Sequence, residues 1–329
     1  MIIAKVPLRV SFFGGGTDIP FFYKKNNYGC VLSTTINKYI YITLKDHGKL
    51  FNEKFRMNYS VSETSNEISQ IKNDILRNII KYFNIKDNIY ISTISDIPSS
   101  SGLGSSSSLV VGLFLLLNKK HNLNLSRKEI VKKASEFEIM KISKSIGKQD
   151  HYSAFYGGFN YIKFFKNQNV RISKIPDNVL LKKIEKSSLF FWTGIQRSAN
   201  KILESQVNNK KYTEEIMLEI RKIADEVHRK IKLNKIDFIE FGKYLHKSWI
   251  LKRKLSNKIS NTEIDNLYEK CIQKGAIGGK ILGAGGGGFL YILARETDHN
   301  KIILEMKKNG LVREEIKFGN KPAEIIYED

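Results

Sequence analysis

Cysteine is nearly absent from this 329-residue chain: only Cys30 and Cys271 occur, far apart in sequence. That excludes a disulfide framework and points to reduced thiols in a cytoplasmic protein. Five prolines and no long polar tract exclude a disordered chain. The longest apolar run, Leu109–Leu117, is interrupted by Gly112 and falls short of the ~20 residues that cross a bilayer. The first residues lack a basic segment followed by an apolar run and a cleavage site, so no signal peptide is expected. The six histidines form no HxxxH pair and no Cys/His cluster, which excludes structural zinc. No GxSxG elbow is present, so acyl transfer has no support. HRD and DFG are missing too. The nearest approach to a GxxxxGK[ST] loop, Gly275–Lys280, has the wrong spacing and runs into Ile281.

Acidic residues are also sparse, 33 against 55 Lys plus Arg, a formal charge of +22. A basic face attracts phosphate backbones without regard to sequence. The lysines here are scattered among Asn, Ile and Glu, with no run of five basic residues. That pattern favours solvated helices over nucleic-acid binding, with an anionic small substrate as the second reading.

What is present reads as a two-domain chain with enough apolar content for a core. Residues 2–13 and 31–46 are rich in β-branched and aromatic residues and read as strands. Helical spacing covers 67–83, with Ile68, Ile71, Ile75, Ile79 and Phe83 on one face. A strand at 88–94 leads through a Pro/Ser/Gly loop into a helix over 105–119, and a second helix spans 127–142. Strands are expected at 158–165, 187–193, 277–283, 289–294 and 312–318. Helices fill most of 197–273 and 299–309, and a short helix lies within 147–158. The polar stretch at 165–187 divides the chain into residues 1–175 and 176–329.

The central motif runs from Asp96 to Leu109, DIPSSSGLGSSSSL. It follows a strand and opens an apolar helix. Glycine lets backbone approach a ligand closely. The uncapped N–H groups of a first helical turn carry partial positive charge. Serine hydroxyls there can bond phosphate oxygens or ligate Mg²⁺. A flexible linker would not run straight into LVVGLFLLL, and a single cap needs one serine. Ser99, Ser100, Ser101, Gly102, Leu103, Gly104, Ser105, Ser106 and Ser107 are therefore the expected phosphate loop.

Three motifs together resemble the GHMP kinases, in the family's order and across nearly the whole chain. They are Pro7–Asp18 (PLRVSFFGGGTD), Pro98–Ser107 (PSSSGLGSSS) and Ile281–Phe289 (ILGAGGGGF). Within that family, FFGGGTDIPFF, GKQDHYSAFYGGFN and TGIQRSA are similar to the group acting on D-glycero-D-manno-heptose 7-phosphate. The resemblance implies an α+β fold of two halves: an N-terminal half like ribosomal protein S5 domain 2 and a ferredoxin-like C-terminal half. The active site would lie between them. It also implies transfer of the γ-phosphate of ATP, with Mg²⁺, to the anomeric hydroxyl of the heptose 7-phosphate. The 1,7-bisphosphate so formed would feed nucleotide-activated heptose synthesis. Other expectations are an L-fucose kinase or a non-catalytic sugar- or nucleic-acid-binding regulator on the same fold. Partners are ATP and a sugar phosphate, with a homodimer as an option and no membrane.

The same resemblance implies residue roles. Asp150 would be the general base or would orient the attacking hydroxyl, and Arg9 would stabilise charge on the transferring phosphoryl group. Ser106 and Glu138 would hold the metal, with Glu136 as the competing acid. Gly15, Gly16, Thr17 and Asp18 would line the sugar site, with Gly285, Gly286 and Gly287 approaching substrate or making a tight turn. Lys148, Arg197 and Lys201 are the candidates for a substrate phosphate. His151 stands where the family more often has Gln.

Overall fold

The computed structural model describes residues 1–48, 50–142, 146–196, 202 and 210–329. It has the α+β architecture of two sheets with helices packed against them. The chain opens with β1 (Ile2–Phe13), the short α1 (Pro20–Tyr23) and β2 (Tyr28–Asp46). β3 (Phe55–Asn58), β4 (Ser62–Ser65), α2 (Asp74–Tyr82), β5 (Ile89–Ser95), α3 (Ser105–Lys120) and α4 (Arg127–Glu136) follow. Next come α5 (Gln149–Tyr156), β6 (Phe159–Phe165), β7 (Val170–Lys174), α6 (Val179–Lys186) and β8 (Ser188–Trp192). The helices α7 (Lys210–Lys232), α8 (Phe238–Arg253) and α9 (Thr262–Gln273) precede β9 (Ala276–Ile281) and β10 (Phe289–Ala294). The chain ends with α10 (His299–Lys308), β11 (Val312–Glu314), β12 (Phe318–Gly319) and β13 (Glu324–Glu328).

The large sheet runs β13-β1-β2-β5-β3-β4, with β6 and β12 on β2 and β7 on β6. β2 is long enough to carry β5 on Ile40–Asp46 and β6 on Tyr28–Thr34. The small sheet is antiparallel, in the order β11-β8-β10-β9. The expected division at 175/176 falls between β7 and α6. The chain's end crosses back, since β13 pairs with β1 and β12 with β2. We retain 1–175 and 176–329 as the proposed halves, with that return as their tie.

Several expectations differ in detail. The 67–83 helix is a 3₁₀ turn at Ile68–Gln70 followed by α2, which Asn73 caps through its side chain onto the Ile75 and Leu76 amides. The 127–142 helix ends at Glu136 and continues as a π turn over Phe137–Lys141. The 312–318 strand splits into β11 and β12, which belong to different sheets. β3, β4, β7 and β13 escape the sequence reading because they are short and half exposed.

α3 lies on the large sheet, and Gly112 admits the approach. A Cβ there would stand 2.2 Å from Ile42 Cδ1. A second core joins the halves. Phe12 and Phe13 of β1 meet Phe241 of α8, with ring centroids 5.5 and 4.9 Å apart, and Phe12 also meets Tyr291 of β10. α8 in turn lies close on β9, where a Cβ on Gly278 would sit 2.1 Å from the Gly242 carbonyl oxygen. Overpacking of this kind costs about 1–3 kcal/mol. Gly278→Ala is therefore expected to lower the free energy of unfolding by that amount in urea titration. A change inside about 0.5 kcal/mol would contradict the close α8–β9 approach.

Candidate active site

One cavity of about 990 Å³ opens where the end of β1, the loop before α3, the start of α5 and the glycine turn after β9 converge. The loop's backbone explains its serines and glycines. Ser100, Gly102 and Gly104 all have positive φ, at 60°, 83° and 84°. Gly104 is the N-cap of α3 and offers no side-chain cap. Gly104 puts no side chain over the start of α3, and a helix start of that kind suits an anion. Ser99, Ser100, Gly102, Gly104, Ser105, Ser106 and Ser107 line the cavity. Ser101 and Leu103 do not. Both are fully buried, and their carbonyls accept from the Phe289 and Arg9 amides at 3.1 and 3.0 Å.

The glycine turn backs this loop from the other half. A Cβ on Gly102 would lie 2.4 Å from the Leu282 carbonyl oxygen, and one on Gly288 would lie 2.3 Å from that of Ser101. Gly285 and Gly287 line the cavity. Gly286 does not, and its amide donates to the Ile259 carbonyl at 2.7 Å. The turn therefore serves mainly as close backbone support.

Asp150 stands in the first turn of α5, where the helix dipole favours a carboxylate. Arg9 grips it with both oxygens engaged: Nε donates to Oδ1 at 2.7 Å and Nη2 to Oδ2 at 2.6 Å. Its Nη1 donates to the Gly102 carbonyl at 2.6 Å. One guanidinium thus fixes both the acid and the phosphate loop.

Asp18 ties the first loop to the start of α5. It accepts from the Gly16 amide at 3.1 Å, the Gln149 amide at 3.0 Å and Gln149 Nε2 at 3.3 Å. Burial raises its pKa, and Asp150 adds to the rise against those hydrogen bonds. Gly147 makes room for it, since a Cβ there would sit 1.8 Å from Asp18 Oδ2. Gly15 and Gly16 line the cavity, but Thr17 is buried beneath it. The Thr17 hydroxyl bonds the Gly14 and Cys30 carbonyls, so it pins the turn instead of facing substrate.

Ser106 and Ser107 donate to the two oxygens of Glu138, at 2.5 and 2.7 Å. The π turn carries Glu138 inward, fully buried, and His151 Nε2 lies 2.8 Å from its Oε2. A hydroxyl and a carboxylate side by side on the cavity wall are hard oxygen donors, which suits Mg²⁺. Glu136 is half-buried and does not line the cavity.

Lys148 departs from its expected place. It is buried, burial lowers its pKa, and its amine donates to Gln168 Oε1 at 2.8 Å. It does not line the cavity, so it is unavailable to a substrate phosphate there. Arg197 and Lys201 lie outside the described residues.

Sequence reasoning missed Ser11, Gln149, Lys252 and Lys280, which all line the cavity. Lys280 Nζ donates to the Ser11 and Phe12 carbonyls at 3.0 and 3.1 Å. Burial, then Lys252 and Arg9, hold its pKa well below the usual lysine range. Lys252 had a legible signal. It extends the buried stripe Phe241, Leu245, Trp249 of α8 at helical spacing. A lysine on such a stripe is rare without a reason.

Residues 70–158 match the GHMP kinases N terminal domain and residues 229–311 the GHMP kinases C terminal domain. The chain is 34% identical over 318 residues to the D-glycero-alpha-D-manno-heptose 7-phosphate kinase of Campylobacter jejuni, covering 93% of each chain. The chain belongs to the GHMP kinase family. It is also 24% identical over 335 residues to the galactokinase of Thermotoga neapolitana, covering 92% of each. Its fold matches a solved structure described as a D-glycero-D-manno-heptose 1-phosphate kinase from Bacteriodes thetaiotaomicron, with TM-score 0.78, 23% identity and complete coverage of both chains. The family's sugar kinases use ATP as phosphate donor, and this chain is such an ATP-dependent kinase. Among the described residues no helix is long and apolar enough to cross a membrane.

Because Asp18 holds the first loop to the helix carrying Asp150, Asp18→Asn is expected to lower stability by about 1–3 kcal/mol. It should also lower kcat more than it raises the KM for ATP. Urea titration and steady-state kinetics check both. Unchanged kcat with unchanged stability would contradict this tie.

Proposed function

We propose that this kinase transfers the γ-phosphate of ATP to the anomeric hydroxyl of D-glycero-D-manno-heptose 7-phosphate, giving the 1,7-bisphosphate. The observation that carries the reading is the placement of Asp150, clamped by Arg9, beside the uncapped serine loop. Identity of 34% over nearly the full length to a kinase named for that sugar supports the choice of acceptor.

In this reading the triphosphate lies along Ser99–Ser107 and the first-turn amides of α3. The apolar end of the cavity, with Ile40, Ile75, Ile97 and Leu109, takes the base. The sugar occupies the opposite end, against Gly15, Gly16, Asp18 and Gln149. Asp150 accepts or orients the proton of the attacking hydroxyl, a role worth roughly 10²–10⁴-fold. Arg9 keeps the carboxylate aimed. Ser106 and Glu138 would hold Mg²⁺, which when bound neutralises charge on the nucleotide phosphates. By sequence alone, Arg197 and Lys201 remain the proposed contacts for the 7-phosphate.

The test is phosphorus NMR of products formed from ATP and a panel of hexoses, heptoses and heptose phosphates. The expected result is a new anomeric phosphate on the heptose 7-phosphate only. Turnover of L-fucose or galactose in its place would overturn the acceptor assignment. Asp150→Asn is expected to cut kcat at least ~10²-fold while leaving nucleotide affinity within a few-fold. Near-normal turnover would remove Asp150 from its role.

A further inference from the structure

Arg9 is the cation that the N-terminal motif offers for the transferring phosphoryl group, yet its guanidinium is committed. Two of its nitrogens lie on Asp150 and the third on the Gly102 carbonyl. Together Arg9 and Asp150 make a neutral pair. A dianionic phosphoryl group passing beside that pair meets no net positive charge from it.

Lys252 is placed to supply what is missing. It reaches from the last turn of α8 into the cavity, is only 7% exposed, and lines the cavity wall. Its amine donates to the Gly283 carbonyl. Gly283 belongs to the turn packed directly on the phosphate loop, where a Cβ on Gly283 would lie 2.7 Å from Gly102 Cα. An ammonium has three N–H donors, so two remain beyond the Gly283 bond. Among the described residues Lys252 makes no ion pair. The charged groups around it come from every wall: Arg9 on β1, Asp18 in the loop after β1, Asp150 on α5 and Lys280 on β9.

We propose that the Lys252 ammonium contacts the phosphoryl group in transit from nucleotide to acceptor, while Arg9 acts through Asp150 as a positioning residue. The inference rests on the sugar-kinase reading and deepens it. In the step, the acceptor oxygen forms a bond to the γ-phosphorus as the bond from that phosphorus to the β–γ bridging oxygen breaks. The acceptor proton passes to Asp150, and the Lys252 protons stay on nitrogen. Burial, then Arg9, pulls the Lys252 pKa down to about 8, and Asp18 and Asp150 pull the other way. The protonated form is the one that brings a positive charge to the phosphoryl group, so kcat/KM falls as pH rises through about 8.

The test compares wild type with Lys252→Met and Lys252→Arg, using whichever acceptor the wild type phosphorylates, with near-UV circular dichroism to check folding. For Lys252→Met the expected loss is ~10²–10³-fold in kcat, with both KM values within a few-fold. Lys252→Arg is expected to recover part of that loss and to abolish the alkaline fall near pH 8, because a guanidinium does not titrate there. A Met variant within about threefold of wild-type kcat would overturn the proposal, on the scale of donor-deletion effects. So would an alkaline limb unchanged in the Arg variant, which decides the matter if the Met variant does not fold. A wild type that phosphorylates no sugar would overturn the sugar-kinase reading and this proposal together. Wild-type turnover with an indifferent Lys252 overturns this proposal alone.

Discussion

The two-pronged bond from Arg9 to Asp150 is the constraint from which the site is built. It spans the halves of the N-terminal sequence, joining the first strand to a helix 141 residues later. Paired hydrogen bonds between a guanidinium and a carboxylate fix angle as well as distance. The third arm of Arg9 reaches the phosphate loop, so acid, arginine and loop move as one unit. Preorganisation of this kind costs nothing at the moment of reaction, when geometry decides the rate.

Around this pair the cavity concentrates charge in a way that works against folding and for chemistry. Lys252, Lys280 and Asp18 are all buried, and burial pushes each toward its neutral form. The protein compensates locally with backbone groups: Gly283 for Lys252, Ser11 and Phe12 for Lys280, and the Gly16 and Gln149 amides for Asp18. Perturbed titratable groups gathered in one cleft are a mark of function more often than of architecture. The glycines of the turn after β9 belong to the same design. They let one loop's backbone lie on another's, bracing the phosphate loop from the C-terminal half.

Much of the fold was legible because long segments declare their period. β1, β5, α3 and β10 stand within about a residue of where their sequence places them. The short edge strands carry too few residues to show alternation, and the return of β13 to β1 is a tertiary event with no local signal. The motif residues Arg9, Asp18, Ser106, Glu138 and Asp150 do meet in one cavity. A motif cannot say which way a side chain turns. Thr17 and Lys148 lie within or beside motifs, yet one pins a turn and the other bonds Gln168. Lys252 and Lys280 show the converse. In a chain with 55 basic residues a lysine that lines the cavity hides among solvated ones, and for Lys252 only its place on a buried helix stripe distinguishes it.

The most direct test of the central claim is a double-mutant cycle on kcat with Arg9→Met, Asp150→Asn and the double variant. If Arg9 works chiefly by holding Asp150, the double variant should be about as slow as Asp150→Asn alone, because residues acting as a unit are not additive. Fully additive losses would mean that each acts on substrate independently, and would contradict the clamp as the basis of the site.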